Sequence, residues 1–209
     1  MARRAWLLMA MALLGAVAAP VMAQDANVPT TASAGVPSPT DQERAMAAWD
    51  RASAPGPWHG FLAQRVGKWK VAGRVWNDPA GEPSVSKGEA QLEMILGGRI
   101  LQEHLRGSSG KLQFEGEGLL ACDNSAGTLT WVWVDSMGTM MSVLTGRAGE
   151  VGKPVELHGQ LTDPASGRII KLRVVLTFVG PDEFRWEYFG APEGYDEARM
   201  MEMVYTRGR

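Results

Sequence analysis

Cysteine is almost missing from this chain: Cys122 is the only one in 209 residues. No internal disulfide can form, so the fold must rest on its hydrophobic core, unlike small disulfide-stapled secreted domains. The thiol sits in Cys122-Asp123-Asn124, a strand end running into a turn, with no adjacent Lys or His to activate it, which argues against a reactive role. Histidine is scarce too. His59, His104 and His158 fall on three separate predicted elements, and nothing in their spacing suggests converging zinc ligands. An excess of one charge is also lacking, with 21 Lys and Arg against 23 Asp and Glu. No basic stripe appears, and nucleic-acid binding has no support. Catalytic signatures are absent: there is no GxSxG elbow, no HExxH and no GxxxxGK(S/T) phosphate loop. Asp135-Ser136 with His104 or His158 has no spacing that favours hydrolysis. Nothing in the sequence calls for a cofactor.

The one long apolar run stands at the start. Arg3 and Arg4 precede a stretch from Trp6 to Val21 that ends in Val21-Met22-Ala23, the pattern of a secretory signal peptide over 1–23 cut before Gln24. Roughly sixteen apolar residues, with Gly15 and Pro20 among them, are too few for a stable membrane span. No Cys lies at the cleavage point to carry a lipid. The mature protein is therefore expected to be periplasmic or secreted, and losing Arg3 and Arg4 takes its formal charge from −2 to −4. Residues 24–39, mostly Ala, Pro, Ser, Thr, Gly and Val, bury too little to offset their ordering entropy and read as a disordered linker.

Residues 40–66 read as a helical segment. Thr40 or Asp41 can cap a helix over 41–52, with Ala45, Met46, Ala48 and Trp49 largely on one side. Pro55 and Pro57 stop it and start a second over 58–65. Trp58, Leu62 and Val66 then form one apolar stripe able to cover an open barrel end. From Trp69 the period becomes two, with Trp69, Val71, Gly73 and Val75 on one face. Ala90, Leu92, Met94 and Leu96 alternate next, and Gly97-Gly98 allows a tight turn into 99–106. Strands follow over 111–121, 128–136, 139–147, 154–162, 168–179, 183–190 and 197–207. About ten short strands with hairpin-length connections predict an all-β antiparallel up-and-down barrel over 67–209, preceded by one or two short helices. Closure also removes exposed strand edges.

The motifs along this barrel resemble those of a bacterial lipocalin-like, calycin-type family, domain of unknown function 1579. They are His59-x-x-Leu62-x-x-x-Val66-Gly67-x-Trp69, Leu96-Gly97-Gly98-Arg99, Trp133-Val134-Asp135-Ser136-Met137-Gly138-Thr139 and Gly159-x-x-x-Asp163-Pro164-x-x-Gly167. Lys171-x-Arg173-x-Val175, Glu187 and Met201-Glu202-x-x-Tyr205-Thr206-Arg207 complete the set. The resemblance covers about residues 58–207 and implies a barrel with no assigned activity. It also implies that Trp69 and Arg207 form the barrel-closing pair, an indole packed under a guanidinium. Some related barrels bind haem through a late histidine, and none follows His158 here.

Trp131, Trp133 and Asp135 share one strand face, Lys171 and Arg173 share another, and Glu187 has the parity of Arg185 and Phe189. Pointing inward, these six could orient a ligand's polar head while indoles hold its apolar body. Alternatively Lys171 and Arg173 face solvent while Ile170, Leu172, Val174 and Leu176 fill the core, which the periodicity favours. Met137, Met140 and Met141, like Met200, Met201 and Met203, offer soft copper(I) ligands, but neighbours on a strand point apart, so core or pocket filling is the expected role. The leading expectation is an exported barrel that binds a small apolar or amphipathic molecule. The alternative is a non-enzymatic structural or interaction module of the cell envelope, with a packed barrel and no ligand.

Overall fold

Two prolines divide the helical segment. α1 (Pro39–Ser53) ends before Pro55, and α2 (Pro57–Ala63) starts on Pro57, whose missing N–H costs nothing in the first turn. These helices are seen in a computed structural model that describes residues 38–163, 166–192 and 195–208. The expected signal peptide and the linker through residue 37 lie outside the described residues, as do Pro164 and Ala165.

α1 is exposed along most of its length, Met46 and Trp49 included, and its end is tied to the barrel. There Arg99 Nε donates to the Ser53 carbonyl at 3.0 Å and Asn124 Nδ2 to that of Ala54 at 2.7 Å. α2 buries Trp58, His59 and Leu62. His59 Nδ1 accepts the Gly56 N–H at 2.9 Å, closing the helix start, and Trp58 Nε1 donates to the Gly149 carbonyl at 3.2 Å. The expected stripe stops at Leu62. The helix ends at Ala63, its phase is lost, and Val66 turns out to solvent while Arg65 turns in.

Ten strands follow: β1 (Gly67–Val75), β2 (Ser84–Ile95), β3 (Ile100–Ser109), β4 (Leu112–Asp123), β5 (Thr128–Asp135), β6 (Ser142–Arg147), β7 (Val155–Thr162), β8 (Ile169–Gly180), β9 (Glu183–Pro192) and β10 (Ala198–Arg207). Each pairs antiparallel with its neighbour in sequence, and β1 pairs with β10 to close the ring. The protein is an all-β, ten-stranded up-and-down barrel preceded by two short helices. β2 begins at Ser84, ahead of the apolar alternation, because Ser86 and Gly88 hold the inward phase there. A β-carbon at Gly88 would stand 2.6 Å from the Arg106 carbonyl oxygen, so no larger side chain fits. Leu96 is not the last core position of β2: it opens the turn at φ 51° and is exposed. β6 starts at Ser142, not at 139, so Met140 and Met141 lie exposed in the β5–β6 connection rather than on two faces of a strand.

The seam between β1 and β10 is locked at one end. Trp69, 1% exposed, donates from Nε1 to the Arg65 carbonyl at 2.8 Å and meets Phe184 edge-on at 4.8 Å. Arg207 lies over its indole, 4.4 Å from the ring centroid. The same guanidinium donates to the carbonyls of Gln64 (2.7 Å), Val66 (3.1 Å) and Pro181 (3.0 Å) and to Asp182 Oδ1 (2.8 Å). One side chain thus ties the last strand to the chain before β1 and to the β8–β9 turn. Arg65, buried beneath, donates from Nη1 to the Gly180 and Pro181 carbonyls and stacks on Phe61 and Phe178. With Trp58 and Leu62 these groups seal one barrel end. Replacing Trp69 by Ala removes the largest fully buried side chain and should destabilise the protein by about 3–5 kcal/mol in urea melts. A loss below about 1 kcal/mol would refute the closing role given to the pair.

Candidate functional site

The inward phases of the strands build the interior, and they are not wholly apolar. On β3, Leu101, Glu103 and Leu105 point in together, and Glu103 is only 6% exposed. Tyr205 on β10 donates its hydroxyl to Glu103 Oε1 at 2.7 Å across the barrel. Burial pushes the Glu103 carboxyl up to about 7; the Tyr205 hydrogen bond pulls the other way and the Glu117 charge adds to the rise. Burial also raises the phenols of Tyr188 and Tyr205 well above their ordinary value, with the Glu103 charge adding to it.

On β5 the inward set is Leu129, Trp131, Trp133 and Asp135. The two indoles stack at 5.6 Å and 18°. They fit because β4 presents glycine opposite: a β-carbon at Gly116 would stand 2.3 Å from the Trp133 ring. One at Gly118 would lie 3.3 Å from Trp131 Nε1 and 3.4 Å from Glu103 Cβ, so Glu103 and the indoles meet over Gly118. Trp186 packs on Trp131 at 4.9 Å, and Tyr188 meets it at 6.0 Å. Trp133 Nε1 donates to Asp135 Oδ2 at 2.7 Å, while Asp135 Oδ1 accepts the Met137 N–H at 2.8 Å.

The two barrel ends differ. Near the sealed end, beside Arg65, Glu103, Trp131 and Trp186, the interior keeps a void of about 20 Å³. That holds one water molecule and no ligand body. At the opposite end no helix covers the barrel among the described residues. There the inward side chains Phe114, Trp133, Leu161, Tyr188, Met200 and Met201 pack on the core and are only partly buried, and Asp135 is hydrogen-bonded to Trp133.

Lys171, Arg173 and Glu187 stand elsewhere. They occupy the outward phase of β8 and β9, while Leu172, Val174 and Leu176 fill the core, so the structure does not bring these charges to Trp131, Trp133 and Asp135. Arg173 pairs with Glu197 at 2.6 Å and Glu156 at 3.2 Å and lies 4.2 Å over Phe189; Glu187 pairs with Arg199 at 2.7 Å. The reason is periodicity: β8 is apolar without interruption only in its even phase, from Ile170 to Phe178. His104 pairs with Glu117 and His158 with Glu156, both on the outer face. Among the described residues no three His, Cys, Asp or Glu side chains gather as a metal site requires. A larger open concavity, about 800 Å³, crosses the outside of β1–β4. Its register row Lys70, Glu89, Arg106, Glu115 alternates in sign and neutralises itself.

Glu103 and Arg65 escaped the sequence reading. The signal for Glu103 was present, since it falls in the apolar phase between Leu101 and Leu105. Its burial has a measurable sign. Below pH 4.5 the carboxyl is protonated folded and unfolded, and costs nothing. Between 4.5 and 7 the unfolded chain loses the proton first and stability falls; above 7 the cost is full, about 3 kcal/mol. Glu103→Gln keeps an acceptor for Tyr205 and cannot ionise. The variant should match wild type at pH 4.5 and gain relative stability as pH rises, by up to about 3 kcal/mol at pH 8 in urea melts. A difference independent of pH would overturn this assignment.

None of the curated proteins matches the chain. Among solved structures, the crystal structure of Rv2717c from M. tuberculosis superposes with a TM-score of 0.54 at 16% identity, over 75% of this chain and all of that one, a likeness of fold alone. EF1p2_mFAP2b bound to DFHBI (TM-score 0.40, 14% identity, 72% of this chain and 98% of that one) is too distant to bear on function. So is a redesigned β-barrel, b11L5F_LGL (0.37, 14%, 75% and 100%). The model of the family described as "Protein of unknown function (DUF1579)" matches residues 54–207. That span opens just ahead of α2 and closes on the last residue of β10, taking in the helical seal and every strand, and the chain belongs to this DUF1579 family.

Proposed function

We propose that this protein is an exported carrier or sensor that binds a small amphipathic molecule at the uncovered end of its barrel. One observation carries the reading: the ends are treated unequally. One is sealed by α2, Trp69 and Arg207, while the other leaves Phe114, Trp133, Tyr188, Met200 and Met201 only partly buried and carries the Asp135 carboxylate, bonded to Trp133. Apolar walls with a few placed polar groups are the usual make-up of small-molecule sites, and methionine lets such walls adapt. The ligand body sits at this mouth, since the deeper void of about 20 Å³ admits no more than a water or a small polar head. The signal-like pattern of residues 1–23 supports an exported location for this activity.

A packed interaction module is the second reading, favoured by the same small void and by exposed Met137, Met140, Met141 and Val143 around the β5–β6 connection. Native mass spectrometry of the mature protein, with solvent extraction, separates the two. A reproducible co-purifying small molecule near one equivalent is expected. In parallel, the uncharged fluorophore N-phenyl-1-naphthylamine should bind saturably, and Trp133→Ala should weaken it about tenfold, or 1.4 kcal/mol. An apo mass together with no saturable binding would favour the packed module.

A further inference from the structure

Asp135 stands toward the uncovered end of the barrel, whereas Glu103 lies deeper and lines the same small void as Arg65. Along the strands the inward phase carries two carboxyls, Glu103 and Asp135. Neither has an ion-pair partner among the described residues. The inward bases, Arg65 and Arg207, lie at the sealed end and are already committed to backbone carbonyls, Arg207 also to Asp182. The remaining bases of β8, β9 and β10 face outward: Arg173, Arg185 and Arg199 onto Glu197, Glu202 and Glu187, and Lys171 on the exposed phase of β8. Asp135 receives an indole N–H and a backbone N–H; Glu103 receives one phenol. These donors solvate negative charge without neutralising it. Between the two carboxyls runs an unbroken set of π faces, from Trp133 onto Trp131 and on to Trp186 and Tyr188.

We propose that the molecule bound at the uncovered end is an organic cation, an amine or quaternary ammonium on an apolar body, held by Asp135 and the indole of Trp133 and drawn toward Glu103. The proposal rests on the reading of that end as a ligand site. A cation over indole and phenol faces is attracted by the ring quadrupoles, more so once desolvated. It also supplies the counter-charge that two carboxyls in a low-dielectric interior lack. An anion would meet two carboxyls on the inward phases and, among the described residues, no inward base at the uncovered end. A neutral ligand would gain the walls and leave the carboxyls as they are.

The test holds the apolar body constant and changes the head: decyltrimethylammonium, decanol and decyl sulfate, all below micelle formation, titrated by calorimetry and tryptophan fluorescence. The ammonium should bind at least about tenfold tighter than the other two. Asp135→Asn and Glu103→Gln should each weaken the ammonium several-fold and leave decanol unchanged. Glu115→Gln, on the outer face, should leave all three unchanged and so excludes general attraction to an acidic surface. Equal affinities for the three heads, or preference for the sulfate, would overturn the cation while leaving the ligand site standing. Failure of all three to bind would overturn both.

Discussion

Closing β1 onto β10 is the constraint on which the rest of this molecule depends. A meander of ten strands has two edges, and without the seam each would present unpaired backbone groups. Trp69 and Arg207 fix that seam with little redundancy: one indole fills the base of the barrel, and one guanidinium reaches the loop before β1, the β8–β9 turn and the indole face. No disulfide shares the task. Because the lock lies at one end, the apolar weight gathers there, with Trp58, Leu62, Phe178 and Phe184 packed around it.

The opposite end inherits what the base does not need. Its inward phases carry glycine at 73, 116 and 190, and the large side chains of neighbouring strands lie across the space those glycines leave. That arrangement lets two stacked indoles lie flat against β4 and keeps a carboxylate in reach of them. Glu103 adds a second polar group deep in the wall. A barrel selected for stability alone gains nothing from an ionisable group in that place, where apolar packing would serve as well. Perturbed carboxyls in such surroundings are more common at sites that do something.

The architecture was legible from residues 69–207 because alternation and turn chemistry agree there, as at Ala90, Leu92 and Met94 running into Gly97-Gly98. Where they disagree, the reading slipped. Leu96 continues the apolar alternation yet opens a turn, since the two glycines after it set the backbone. The first half of β2 has no apolar face to see, because Gly88 lies against the β3 backbone and the Ser86 side chain fills the space over Gly73. Val66 follows Trp58 and Leu62 in helical spacing, but the helix ends first. The site was half legible. Trp131, Trp133 and Asp135 share a strand and a phase that one sequence displays. Glu103 and Tyr205 are far apart in the chain, and only barrel closure makes them neighbours. Lys171 and Arg173 show the opposite lesson: charges at strand positions suggested a lumen, and the apolar phase between them was the better guide.

The chain reaches the barrel through α2 and leaves it after Arg207, both at the sealed base. The points where the chain enters β1 and leaves β10 therefore both lie at the foot of the barrel, opposite Trp133 and Asp135. An attachment made directly beside α2 or β10 leaves the barrel end that carries Trp133 and Asp135 turned away from the attachment point. Orientation, and not only shape, is written into the order of its strands.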